Sequence, residues 1–432
     1  MAARRVLSVR AFRSLWVAGL ISDAGDWLLL VALPIVVYQL TGSALGTSVA
    51  FAAELAPGIV LAPLGGRLAD TVDRRTLMIA LSALQALALL PLLLVHGAHG
   101  LGIVYGVIVA QASLAALFDP AKNALLPSLV GPGQLVPANS LVGLGGAMAR
   151  LAGGPLGGLL LAAGSLRTIV IADALTFIAA GALVARVPRA AGRHADRGAA
   201  NGARVAPARG LGAILRRPAV AAALLVALVA DIAQGIFVVL FIVFVARRLH
   251  GGAAETGLLR GIQAVGATAG GLLLAIRGDR WHPIALAAVA AVAFGVVDLT
   301  IWNGPLITQT EVVYVLLFVC AGAPGVMMET AGISFLQRAT GDGERGRVFA
   351  AVRLTENAGQ ALGIVAAGVL TAPLGLTALL DAQAGLYLLA GALVILCARR
   401  ARPSRAAHRR MTDRRDGLAV GEERVVTGSS AR

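Results

Sequence analysis

Long apolar runs alternate with short polar interruptions along the whole chain, and the runs are of similar length. A membrane's hydrocarbon core is crossed by about 20 mostly apolar residues in a helix, and a backbone facing lipid must satisfy its own hydrogen bonds. The pattern predicts spans near residues 14–39, 44–66, 76–96, 101–119, 138–163 and 168–187 in the first half. It predicts a second set near 219–246, 256–276, 283–302, 311–333, 351–373 and 377–398. Between the sets, 188–217 is rich in Arg, Ala and Gly without a sustained apolar period, so it reads as a polar linker. The expected fold is an all-α membrane protein of about twelve transmembrane helices. Its parts are an N-terminal six-helix bundle (1–187), a cytoplasmic linker (188–217), a C-terminal six-helix bundle (218–399) and a basic cytoplasmic tail (400–432).

The halves resemble one another at an offset of about 210 residues: 126–160 and 336–370 each read as a helix exit, a short polar loop and a Gly/Ala-rich helix. Each loop follows the fourth span of its half, so the repeat is parallel. Parallel halves with a site between them near the midplane are a transporter architecture.

Composition sharpens this picture. Hydrophobic residues are 58% of the chain and charged residues 14%, more apolar surface than a soluble domain buries. The formal net charge of +15 points to topology rather than to nucleic acid, because the arginines sit in short loops and in the tail. One side of the membrane receives Arg4, Arg5, Arg67, Arg74, Arg75, Lys122, the linker, Arg277, Arg280, Arg338, Arg345, Arg347 and the tail, and the other only Arg167, Arg247 and Arg248. The positive-inside rule then places both termini in the cytoplasm. Arginines precede an apolar run over 15–40 with no cleavage signal, which reads as an uncleaved first helix of a multi-pass inner-membrane protein. Cys320 and Cys397 fall inside apolar runs and support neither a disulfide nor a metal site. His96 and His99 have no carboxylate close by, so no metal or cofactor is expected. Lys122, the only lysine, is assigned no role.

Residues 65–75 (GGRLADTVDRR) follow the second span. A glycine, three residues, an aspartate and paired basic residues there resemble the loop motif of the major facilitator superfamily. The resemblance implies that Gly66 allows close helix approach and that Asp70 caps a neighbouring helix. It also implies that Asp70 pairs with Arg74 or Arg75 as a latch of the outward-open state. Thr71 and Asp73 depart from the usual pattern, standing where a basic residue and a glycine are common. Further stretches, FDPAKNALLP at 118–127, DALTF at 173–177, Gln337 and 346–348, resemble the branch of macrolide-efflux and enterobactin-export proteins over essentially residues 10–400. In the fifth span, Gly153, Gly154, Pro155, Gly157 and Gly158 approximate the superfamily's antiporter motif, one residue short. Physically they offer a small-residue face for helix packing.

Ionisable groups inside spans are costly and usually face a cavity. Asp23 and Asp26 lie three apart on one face of the first span, near Trp27, and Asp231 and Gln234 hold the corresponding place in the seventh. In the superfamily, spans one, four, seven and ten line the path, which adds Gln111 and Glu329. Glu356 and Glu54 are further candidates, and Arg150 needs a carboxylate partner, expected to be Asp26 or Asp23. One of Asp23, Asp26, Asp231 or Glu329 is expected to carry a proton across, since burial favours the neutral carboxyl and a nearby cation the charged one. No Walker-type loop is present, so transport is secondary. The expected activity is proton-coupled, antiport-type efflux of a hydrophobic or amphipathic small molecule such as a drug, giving drug resistance, by a monomer. Import and lipid translocation are the alternatives within the class; an integral membrane enzyme or a sensor would need clusters or a domain that the sequence lacks.

Overall fold

The structure, a computed structural model, describes residues 2–189, 217–341 and 344–401. The linker and the basic tail therefore lie almost wholly outside the described residues. After a short helix, Ala2–Ser8, twelve helices are long and apolar enough to span a membrane. They are α1 (Arg10–Thr41), α2 (Ala44–Thr71), α3 (Arg74–Leu89), α4 (Leu101–Leu129), α5 (Leu135–Ala163) and α6 (Leu166–Val184) in the first half. In the second they are α7 (Pro218–Arg248), α8 (Ala253–Arg277), α9 (Pro283–Asn303), α10 (Glu311–Ala339), α11 (Arg345–Leu374) and α12 (Leu376–Ala401).

Local signals set the turns between them. Gly42 ends α1 with φ +62°, a left-handed conformation that suits glycine, and returns its N–H to the Tyr38 carbonyl. Asp73 starts α3, accepting from the Thr76 backbone N–H at 2.8 Å. The Glu255 carboxylate accepts from the Gly252 N–H at the start of α8. Helix ends also depart from the expected bounds, the second span running to Thr71, the tenth to Ala339 and the eleventh starting at Arg345, and the largest departure has a physical reason. The fourth span was expected to end at 119, but α4 runs through Pro120 and Pro127 to Leu129, because a proline inside a membrane helix is tolerated where neighbours re-satisfy the freed groups. Lys122 therefore sits in a helix and not in a loop.

The helices pair in a repeating pattern. In the first half α1 packs on α5, α2 on α4 and α3 on α6; in the second, α7 packs on α11, α8 on α10 and α9 on α12. Each pairing recurs six helices later, which is the pseudo-symmetry suggested by the 210-residue offset. Between the bundles the principal pairings are α5 with α8 and α2 with α11, again exchanged by the same operation.

The bundles meet at the end opposite the N-terminus, where the α1–α2 and α7–α8 turns lie. There Val31 and Ile35 of α1 share a core with the unbroken buried run Ile236–Val245 of α7, backed by Trp302 and Phe318. Two edge-on contacts, Phe241 to Phe318 and Phe244 to Trp302, fix that core.

Candidate functional site: a cavity between the two bundles

A cavity of about 480 Å³ lies between the bundles, walled by α1, α2, α7, α8 and α11. Its aromatic surface comes from Trp27, Phe51 and Phe241, and its polar surface from Glu54, Gln234, Thr256, Arg260, Asn357 and Gln360. The size and the mixed lining suit a small amphipathic molecule. The Tyr387 hydroxyl, itself buried, donates to Gln234 Oε1 at 3.2 Å and orients that amide.

One end of the cavity is sealed. Arg247, at the end of α7, reaches across to α1, where its Nε donates to the Tyr38 hydroxyl and its Nη2 to the Gly42 carbonyl, both at 2.9 Å. Because the Arg247 contacts bridge the bundles, Arg247→Ala should favour the state in which this end opens. Exposed charge-assisted hydrogen bonds of this kind support a shift of about fivefold. A cysteine placed at Leu30 should then be modified about that much faster from this end, and an unchanged rate would show that the contact does not hold the seal.

The small residues of α5 serve two neighbours at once, where a single packing face was expected. Gly153 and Gly157 face α1: a Cβ on Gly153 would stand 2.5 Å from Trp27 Cβ, and one on Gly157 2.9 Å from the Leu28 carbonyl. Gly154 and Gly158 face α8 across the bundle boundary, with Pro155 against Gly261.

Of the path residues chosen from sequence, Trp27 and Gln234 line the cavity. The others are placed differently. Asp23 pairs with Lys122 at 3.2 Å, and Asp119 lies 3.5 Å from the same ammonium, so the lysine assigned no role anchors a charged cluster inside the first bundle. Asp26 lies within electrostatic reach of that cluster and of Asp173. Asp173 is fully buried on α6, lies over the backbone of Gly25 and takes a hydrogen bond from the Thr176 hydroxyl at 2.9 Å. Gln111 is buried between α3 and α4, its Nε2 donating to the Gln85 carbonyl. Asp231 packs against Gly359 of α11, Glu356 lies 3.4 Å from Arg353, and Glu329 is exposed. Arg150 does not find the carboxylate expected for it. Asp23 is taken by Lys122, and the tight α5–α1 crossing at Gly153 sets the Arg150 guanidinium over the Trp27 ring, 5.2 Å from its centroid.

The loop motif also differs from its implied wiring. A Cβ on Gly66 would meet open space, and the close approach belongs to Gly65, whose Cβ would lie 2.6 Å from the Ala116 carbonyl of α4. Asp70 is exposed and makes no hydrogen bond or ion pair among the described residues, while the helix cap comes from Asp73. Arg74 donates to the carbonyls of Ala69 and Ala124 and Arg75 to that of Ala185, tying α2, α3, α4 and the end of α6 together.

Sequence reasoning missed Arg260 altogether and left Glu54 at the margin. The signal for Arg260 was present: it is a cation in the apolar run 256–276, and the rule that singled out Arg150 applies to it equally.

Twelve spanning helices in two equivalent bundles, closed over a cavity lined by both, define a secondary transporter of the major facilitator fold. The chain belongs to the transmembrane secretion effector family of that superfamily, whose model matches residues 3–423. It is 32% identical over 170 residues to the uncharacterised MFS-type transporter YfiS of Bacillus subtilis (strain 168), covering 39% of this chain and 40% of the relative. It is 33% identical over 154 residues to the multidrug efflux pump Tap of Mycolicibacterium fortuitum, covering 34% and 37%. The matches thus span about two fifths of the length of these curated relatives. Among solved structures, an inward-facing bacterial homologue of the iron transporter ferroportin superposes with a TM-score of 0.71 at 18% identity, over 91% of this chain and 99% of that one. The family and its structural neighbours are transporters, not enzymes.

Proposed function

We propose that the protein exports a hydrophobic or amphipathic small molecule across the cytoplasmic membrane in exchange for protons, as a monomer with both termini in the cytoplasm. The observation that carries this reading is the cavity, which has walls from both bundles and a seal at one end. With the arginine-rich loops on the cytoplasmic side, the sealed end is the outer one and the cavity opens inward, the state in which an exporter loads. Parting of the bundles at the α5–α8 and α2–α11 contacts, with closure at the other end, delivers the cargo outside. The aromatic rings beside amides and hydroxyls support an amphipathic cargo. The efflux activity in the name of the Mycolicibacterium relative supports the direction.

Proton coupling falls to the acidic groups of the spans, Asp23, Asp26, Asp231 and Glu329. Asp26 and Asp231 adjoin the cavity residues Trp27 and Gln234 along α1 and α7. In this scheme one of them takes a proton from outside and releases it inward, so that each turnover draws on the proton gradient.

The test is accumulation of a panel of antibiotics and siderophores in cells with and without the protein. Accumulation should fall when the protein is present, and an uncoupler should erase the difference. The variant combining Asp23→Asn, Asp26→Asn, Asp231→Asn and Glu329→Gln should lose uncoupler-sensitive export. Full export by that variant would remove these residues from the coupling.

A further inference from the structure

Arg260 is the cation in the cavity wall that the sequence reading did not use. It lies two turns into α8, in a span whose other charged groups, Glu255 and Arg277, sit near its ends. Its guanidinium rests over the Phe237 ring, 5.0 Å from the centroid. An aromatic face attracts the charge but offers no acceptor for any of the five N–H groups in the planar fork. Among the described residues nothing else takes them up: no carboxylate reaches ion-pair distance and no hydrogen bond forms. Glu54, on the α2 wall of the same cavity, does not close on it. Lys122 shows the contrast, since that membrane cation has two carboxylates within 3.5 Å. Glu54 acts on it only through space, and a guanidinium in a membrane interior whose N–H groups have no acceptor is costly. A group retained there with its donors unused is set to receive an acceptor from elsewhere.

A second guanidinium reinforces the sign of the field. Arg150 stacks on Trp27, whose ring is also part of the wall. Arg260 and Glu54 are thus the charged side chains of the lining itself, with Arg150 stacked on the Trp27 ring and aromatic surface beside them.

We infer that the cavity recognises its cargo through an acidic group, a carboxylate, sulfonate or phosphate, held by the fork of Arg260 while the apolar body lies against Trp27, Phe51 and Phe241. The planar fork matches the two oxygens of such a group. Glu54 on the facing wall repels a second acid and so sets the preference for a single negative charge. This deepens the reading of the cavity as the transport site and rests on it.

The test is binding to the full-length protein in lipid nanodiscs, with empty nanodiscs subtracted. Anilinonaphthalene sulfonate supplies an aromatic amphiphile with one sulfonate, and phenylnaphthylamine the same skeleton without it. Arg260→Gln should weaken the sulfonate by roughly ten- to hundredfold, the range for a lost charge-assisted pair. The uncharged analogue should change by less than about twofold, which shows that the cavity is intact. Arg260→Lys, keeping the charge but not the fork, should recover part of the loss, and Glu54→Gln should tighten the sulfonate. Unchanged sulfonate binding in Arg260→Gln overturns the inference. So does a lipophilic cation, rhodamine 6G, that binds more tightly than the sulfonate and loses affinity in Glu54→Gln. The binding result is independent of energetics: if export proved insensitive to an uncoupler, the coupling scheme would fail while the charge preference stood.

Discussion

Gly158→Val should trap the transporter away from the state seen here and reduce transport at least about tenfold. A Cβ at 158 would lie 2.3 Å from the Ala253 carbonyl oxygen and 2.8 Å from Gly257 Cα, and a Cβ at 257 would lie 2.7 Å from Gly158 Cα. These are backbone atoms of two helices in different bundles, so no side-chain rotation relieves the overlap and α5 and α8 must separate. Overpacking of this kind costs about 1–3 kcal/mol, and 1.4 kcal/mol is a tenfold change in a two-state population. The state with this end apart carries no such penalty. In a background lacking Cys320 and Cys397, a cysteine at Val238 in the cavity wall should be modified from the sealed side in the variant and protected in the parent. Gly363→Val provides the contrast. Its Cβ would lie 2.1 Å from the Ile232 carbonyl inside one bundle, so it should lower the yield of folded protein rather than redistribute states. Wild-type transport and labelling in Gly158→Val would mean that this crossing does not close the cavity.

The second large effect is expected in the packing of α9 on α12. Gln383 is fully buried; its Nε2 donates to Asp298 Oδ2 at 2.8 Å and its Oε1 accepts from Trp302 Nε1 at 2.9 Å. Gln383→Leu leaves both partners buried and unanswered. Each orphaned group costs about 1–3 kcal/mol, more where it is charged. Thermal unfolding in detergent should therefore fall by about 5 °C or more. Adding Asp298→Leu should recover part of that loss, because removing both ends of a buried polar contact is gentler than removing one. If the double variant is less stable than the single by the full sum, the hydrogen bond is not what couples these residues.

The spans were legible because length and apolarity are properties of the sequence itself: each predicted run became a helix, and the differences lie at the ends. The rotation of each helix was not legible. Lipid and bundle interior are equally apolar, so Val31, which faces the cavity, and Val60, which is 72% exposed, are indistinguishable by hydropathy. Polar residues inside spans carried what signal there was. It sufficed for Trp27 and Gln234, but it could not tell a cavity-facing acid from one paired within a bundle, as Asp23 is with Lys122. Gly65 and Gly66 make the same point on a smaller scale, since one residue rotates a position by 100° and only the first faces α4. Arg150 found an indole because the crossing at Gly153 brings Trp27 beside α5, a contact that no linear spacing reveals.

Contact between the halves runs along two seams, α5 against α8 and α2 against α11, where Gly368 abuts Ser48. Since one operation exchanges the seams, neither opens while the other stays shut without twisting a bundle out of its own packing, and the molecule is built to rock as a pair of levers. A helix of 29 residues such as α5 is about 43 Å long, so a turn of about 15° about its middle sweeps each tip by roughly 6 Å. That stroke, concentrated at the tips and nearly absent at the fulcrum, clears a doorway at one face while leaving the binding chamber almost undeformed.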